Sequence, residues 1–157
     1  MSKTAFINSP LGITKIVGDE NGVSIISVLA EGEISKTIPK ELKIAVAQLK
    51  EYFDGKRKDF DFKLNPKGTD FQQRVWQELL NIPFGKTMSY LDLSKKLGDV
   101  KAIRAVASAN GKNPLWIVVP CHRVIGTDGS LTGYAGGLWR KKWLLEHETP
   151  SHQQSLF

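Results

Sequence analysis

The apolar residues change period near Pro66-Lys67-Gly68, and that change limits the architectures open to this chain. Before it, residues 4–8, 13–17 and 23–29 are short β-branched and apolar runs, separated by Pro10, Gly12, Gly18 and Asn21-Gly22. Such runs between turn residues predict the strands of an antiparallel meander. Pro39 then opens a pattern in which Leu42, Val46, Leu49 and Phe53 recur at helical spacing until Gly55, which predicts one helix covering the small sheet. The charged stretch from Gly55 to Lys67, with Phe60, Phe62 and Leu64, is read as a last strand followed by the domain linker.

After the linker the signals are helical. Thr69 is placed to cap a helix carrying Phe71, Val75, Trp76, Leu79 and Leu80 that Pro83 ends. Ser89 caps a second from Tyr90 to Leu97, Gly98-Asp99 makes a turn, and a third runs from Val100 or Lys101 to Asn110. Two short helices joined by a glycine turn make a helix-turn-helix candidate. The expected division is 1–66 as an α/β domain with linker, 67–148 as a mainly helical domain, and 149–157 as a flexible tail.

Charge divides at the same place. Residues 1–66 hold ten Lys/Arg and nine Asp/Glu, net +1, whereas the remaining twelve and seven give 67–157 a net +5. The second half is therefore the candidate for binding nucleic acid, although a solvated basic surface has the same signature. The third helix carries few side chains able to read base edges; its alanines and serines permit close backbone approach without a sequence code, or simply pack on neighbouring helices. No run approaches the roughly 20 apolar residues of a membrane span, and Met1-Ser2-Lys3-Thr4 leads into a polar-apolar mixture without the apolar core of a signal peptide, so a cytoplasmic protein is expected.

Cys121 is the only cysteine, which excludes an internal disulfide and a multi-cysteine zinc site; no metal or other cofactor is expected. It follows Ile117-Val118-Val119, read as a short buried strand that Pro120 stops, and precedes His122-Arg123-Val124. A free thiol is only a few per cent ionised at neutral pH, so a nucleophile needs a base or cation nearby. His122 and Arg123 are adjacent in sequence, but an inert buried cysteine beside a satisfied core histidine fits the same residues.

Pro120-Cys121-His122-Arg123-Val124 resembles the signature of the O6-alkylguanine-DNA alkyltransferases, and the resemblance runs from about Thr69 to Glu148. It includes Phe71-Gln72-Gln73-Arg74-Val75-Trp76, Pro83-Phe84-Gly85, Ser89-Tyr90, Asn113-Pro114, Gly133-Tyr134-Ala135-Gly136-Gly137 and the helical stretch Lys142 to Glu148. The resemblance implies a ribonuclease-H-like N-terminal domain, a winged-helix C-terminal domain, and direct repair of O6-alkylguanine, with O4-alkylthymine as a further substrate, in double-stranded DNA. It implies that Cys121 accepts the alkyl group, that His122 takes the thiol proton through a water, and that Glu148 orients His122. Asn113 would brace the turns and Tyr90 would donate to the departing guanine. Arg104 would enter the base stack in place of a flipped nucleotide or contact a phosphate, with Ser89, Lys101, Ala105, Ser108 and Arg123 against the DNA. Val124, Trp116, Tyr134 and Ala135 would shape the pocket, Trp116 standing where relatives commonly have a small residue or proline. The thioether product has no easy leaving group, so one turnover per molecule is expected.

Two other readings use the same residues: a cysteine hydrolase built on Cys121, His122 and Glu148, and a helix-turn-helix module with an inert cysteine. The tail Gln153-Gln154-Ser155-Leu156-Phe157 resembles the short peptides by which bacterial DNA-processing proteins dock on the sliding clamp, through Gln153, Leu156 and Phe157. Packing of Leu156 and Phe157 on their own domain is the alternative. A monomer is expected.

Overall fold

A computed structural model describes residues 1–149 and divides into two compact units, one from Met1 to Lys67 and the other from Gly68 onward. In the first, β1 (Lys3–Ser9), β2 (Gly12–Asp19) and β3 (Gly22–Leu29) form an antiparallel sheet in the order β1-β2-β3. Alternation sends Ala5, Ile7, Thr14, Ile16, Ile26 and Val28 to one buried face. A 3-10 turn at Lys40–Leu42 leads into α1 (Lys43–Phe53). Its buried stripe is Leu42, Ala45, Val46, Leu49 and Tyr52, so Tyr52 takes the inward position that helical spacing had given to Phe53.

The strand expected after Gly55 is absent. Only a single parallel bridge joins Leu64 to Val23, with Val23 N donating to Lys63 O at 2.9 Å and Asn65 N to Val23 O at 2.7 Å. The segment is held by side chains instead: Tyr52, Phe60 and Phe62 form a run of ring contacts, and Gln48 hydrogen-bonds Asp61.

In the second unit Thr69 and Gln72 form a reciprocal capping box at the start of α2 (Asp70–Leu79). Leu80 lies beyond its end and is exposed. Ser89 caps α3 (Tyr90–Lys96), whose C-terminal turn passes through Gly98 at φ 89°, a backbone conformation glycine adopts without strain. A 3-10 turn at Val100–Ala102 then starts α4 (Ile103–Gly111). The winged element is small: β4 (Met88–Ser89) pairs in parallel with β5 (Val124–Ile125). The last helix, α5 (Leu138–Glu148), begins four residues before the Lys142 seen in the sequence pattern.

The run Ile117-Val118-Val119 is buried, as expected of core residues, but it is a turn rather than a strand. Val118 N donates to Trp116 O and Val119 N to Leu115 O, which closes the chain on itself and leaves no sheet pairing. No helix among the described residues is long and apolar enough to cross a membrane.

The tie between α2 and α4 is specific. Trp76 is buried and its indole Nε1 donates to Ala109 O at 2.9 Å. Trp76→Phe keeps a large ring but removes one of two donors to Ala109 O, which still accepts from Lys112 N at 3.2 Å, so urea unfolding is expected to show a loss of roughly 0.5–1.5 kcal/mol; an unchanged midpoint would show that the bond is dispensable.

Candidate functional site

Asn113 builds the turn that delivers the cysteine. Its Nδ2 donates to Val119 O at 2.8 Å and Leu115 O at 3.3 Å, while Leu115 N donates to Asn113 Oδ1 at 2.9 Å. Ile117 within this turn has φ 76°, the one non-glycine residue at positive φ among the described residues. A β-branched residue there is strained by about 1–3 kcal/mol and persists only where its surroundings over-determine it. Here those surroundings are the Asn113 amide and full burial of the Ile117 side chain.

Beyond Pro120, the 3-10 turn Cys121–Arg123 points three adjacent side chains into separate roles. His122 is wholly buried and its Nε2 lies 2.8 Å from Glu148 Oε2 on α5. Arg123 grips the same carboxylate, donating from Nε to Oε1 at 2.7 Å and from Nη2 to Oε2 at 3.0 Å, and from Nη1 to Ile82 O at 2.7 Å. Burial alone would raise the Glu148 carboxyl, but His122 and Arg123 hold it well below the usual carboxylate range. Gly85 comes close to the end of this helix: a Cβ there, at φ 81°, would sit 3.1 Å from Glu148 O.

A carboxylate only accepts, so neutral His122 must carry its proton on Nε2 and present a bare lone pair at Nδ1. Nδ1 is buried and has no hydrogen-bond partner among the described residues. His122 thus keeps one unpartnered ring nitrogen in the turn that carries Cys121. Cys121 itself is 5% exposed, and burial pushes its thiol up to about 11, against the opposing pull of Asn113 and Lys141.

Lys141 and Asn110 were not singled out in the sequence. Lys141 on α5 is fully buried, and its ammonium donates to Val124 O at 2.6 Å, Thr132 O at 2.7 Å and Gly133 O at 3.3 Å. It thus fastens the loop before Tyr134 to the strand after Cys121. Burial draws its pKa down to about 8, while Cys121 favours the charged form. Asn110, at the end of α4, donates from Nδ2 to the Tyr90 hydroxyl at 3.3 Å and to Cys121 O at 3.4 Å. Both are signalled only by a polar residue on the inner side of an otherwise apolar helical stripe, which is visible once the helix phase is known.

A cavity of about 510 Å³ opens beside these groups, lined by Tyr90, Arg104, Asn110, Thr132, Gly133 and Tyr134 among others. Tyr90 is half-buried, and its phenol is pushed up chiefly by burial, against hydrogen bonds from Thr132 and Asn110. Tyr134 is raised well above the ordinary phenol range, again chiefly by burial, and its ring packs on Trp116 at 5.7 Å. Of the four residues expected to shape the pocket, only Tyr134 lines this cavity. Trp116 packs on Tyr134 from outside the lining, Ala135 is exposed on the same loop, and Val124 is wholly buried, contributing its carbonyl to Lys141.

Lys101, Arg104, Ala105 and Ser108 are all exposed, and Arg104, Ala105 and Ser108 share one face of α4 at helical spacing. Ser89 spends its hydroxyl as the cap of α3, accepting from Asp92 N at 3.0 Å. Arg123 departs from the expectation of a DNA contact: it is 6% exposed, its guanidinium bonds Glu148 and Ile82, and it lies 5.9 Å from the Phe84 ring. With three of its five N–H groups held by Glu148 and Ile82 and the side chain buried, it is not presented to a phosphate. No group of three or more metal-ligating side chains occurs among the described residues. The residues proposed for clamp docking lie outside the described residues.

Residues 3–66 match the family described as 6-O-methylguanine DNA methyltransferase, ribonuclease-like domain, and residues 70–150 match the same family's DNA binding domain. The methylated-DNA–protein-cysteine methyltransferase of Methanosarcina barkeri is 45% identical over 149 residues, covering 90% of this chain and 94% of the relative. The protein of that name from Mycobacterium tuberculosis is 47% identical over 147 residues, covering 90% and 89%. The crystal structure of the M. tuberculosis O6-methylguanine methyltransferase superposes with a TM-score of 0.84 at 44% identity, covering 94% of this chain and 93% of that one. A structure of the M. tuberculosis protein in complex with DNA gives the same TM-score at 44% identity and covers 98% of each chain. One family accounts for both units and not for the cysteine segment alone, and this chain belongs to the 6-O-methylguanine DNA methyltransferases.

Proposed function

We propose that this protein repairs O6-alkylguanine in double-stranded DNA by moving the alkyl group irreversibly onto Cys121. The observation that carries this reading is the buried turn in which Cys121 and His122 are adjacent, with Glu148 hydrogen-bonded to the imidazole and Nδ1 left unpartnered. A thiol held near 11 is inert at rest, which protects a lone cysteine until a substrate fills the pocket. His122 then takes the thiol proton through a bridging water, and Glu148 stabilises the resulting imidazolium. Sulfur attacks the alkyl carbon in line, the S–C bond forms as the C–O6 bond breaks, and the electron pair leaves with guanine, which Tyr90 protonates. The thioether has no comparable leaving group, so the molecule is consumed.

A thiol in a pocket cannot reach O6 within a stacked duplex, so the nucleotide must be turned out into the cavity. Exposed Arg104 is at the cavity rim and is assigned to the gap it leaves, with Lys101, Ala105 and Ser108 against the backbone. The small side chains of this face suit binding without sequence preference. The reading extends to O4-alkylthymine as a substrate. The cytoplasm, where a single thiol stays reduced, is the proposed compartment, and a monomer the proposed working form.

The transfer reading is tested by intact-protein mass after incubation with duplex DNA containing O6-methylguanine. One added methyl on the wild type and none on Cys121→Ser is expected; DNA binding without any mass change would favour an inert binding module. The Lys141 charge favours the thiolate, so Lys141→Met is expected to slow transfer on the order of tenfold at pH 7. Because the wild-type lysine loses its charge above about 8, the gap should shrink by pH 9. A gap equal at both pH values would assign Lys141 to packing alone. The tail is proposed to dock on a bacterial sliding clamp through Gln153, Leu156 and Phe157; deletion of Leu156-Phe157 should abolish binding to the purified clamp, and unchanged binding would refute it.

A further inference from the structure

We propose that Asn110 is a positioning residue that aims the Tyr90 phenol proton at the departing guanine while holding the backbone of the attacking cysteine. The inference rests on the reading of Tyr90 given above.

The orientation of one amide sets the geometry. Asn110 is 4% exposed, and the same side-chain end lies within hydrogen-bond distance of the Tyr90 hydroxyl and the Cys121 carbonyl. A hydroxyl can donate or accept, but a carbonyl only accepts. The Cys121 carbonyl therefore decides which way the amide faces: Nδ2 must point at it, since the flipped amide would set two carbonyl oxygens against each other. With Nδ2 fixed, its second hydrogen meets the phenol oxygen, and Tyr90 is forced to be the acceptor in that bond. Thr132 also hydrogen-bonds the phenol and likewise lowers its pKa, so the oxygen accepts from both and the phenol's own hydrogen is left for the cavity.

That is the orientation a proton donor needs. A phenol donating to a buried side chain would have to break that bond before protonating guanine, whereas one that accepts from Asn110 gains acidity and keeps its hydrogen free. The arrangement also ties acid to nucleophile, because a single nitrogen spans the oxygen of Tyr90 and the main chain of Cys121. The remaining Asn110 oxygen is buried without a partner among the described residues and belongs to a residue of the cavity wall. An unsatisfied acceptor there is costly unless a base in the cavity supplies a donor.

A double-mutant cycle on single-turnover methyl transfer from O6-methylguanine duplex separates positioning from packing. Asn110→Ala is expected to lower the rate on the order of tenfold in the wild-type background but by less than about twofold in Tyr90→Phe. Duplex affinity should stay within about twofold throughout, because the residue acts on the chemical step. Equal losses in both backgrounds, or none in the wild type, would overturn the inference and leave the role of Tyr90 standing. If Tyr90→Phe alone costs no rate, the reading of Tyr90 falls and this inference with it. Should the alanine variant fail to fold by thermal melting, Asn110→Ser carries the same comparison with a smaller cavity.

Discussion

The second unit turns on one carboxylate. Glu148 sits at the C-terminal end of α5, 3% exposed, and is shared by His122 and Arg123 from the turn that bears the cysteine. Removing one partner of such a buried ion pair costs roughly 3–5 kcal/mol, because a charge is then left uncompensated. The pair therefore fixes where α5 ends and which way the Cys121–Arg123 turn faces. Arg123 carries the constraint further by donating to Ile82 O, just beyond α2. Three distant pieces of chain converge on a group whose chemical work is to set a histidine tautomer.

The same burial that makes this arrangement rigid makes the thiol hard to ionise. Two opposing demands meet at Cys121: exclusion of water, which favours a clean displacement, and stabilisation of a thiolate, which burial resists. Lys141 eases the conflict without a carboxylate of its own. Its ammonium is satisfied by three main-chain carbonyls, so its charge is not cancelled by an anion and remains available to sulfur. The cost is its own lowered pKa, and the benefit is a pocket loop anchored at Thr132 and Gly133.

Local signals in the chain foretold most of the scaffold. Alternation placed the three strands, Thr69 and Ser89 announced two helix starts, and Gly98 marked the turn between α3 and α4. The failures share a cause. Ile117-Val118-Val119 has the composition of a buried strand, but its geometry is dictated by Asn113, four residues upstream of Ile117, through side-chain bonds that composition does not encode. Residues 55–67 alternate like a strand yet are held by Tyr52 and Gln48 across the unit. Family resemblance sets Arg123 against DNA, whereas a carboxylate 25 residues away in sequence holds it buried. Cys121, His122 and Glu148 were legible through family resemblance; Lys141 and Asn110 became so only when helix phase showed them facing inward.

On the proposed reading, single use follows from the way the site is built. A regenerating enzyme would need a second nucleophile able to reach the alkylated sulfur, a path for it, and a leaving group at least as good as guanine. Here Cys121 is almost closed to solvent, the adjacent His122 is tied to Glu148, and Asn113 and Asn110 hold the main-chain carbonyls of Val119 and Cys121, on either side of Pro120. Each of those features serves the forward displacement by holding sulfur, base and acid in fixed relation. Each also denies access to the reverse one. On that reading, stoichiometric consumption is the outcome of the same packing that holds sulfur, base and acid in place for one displacement.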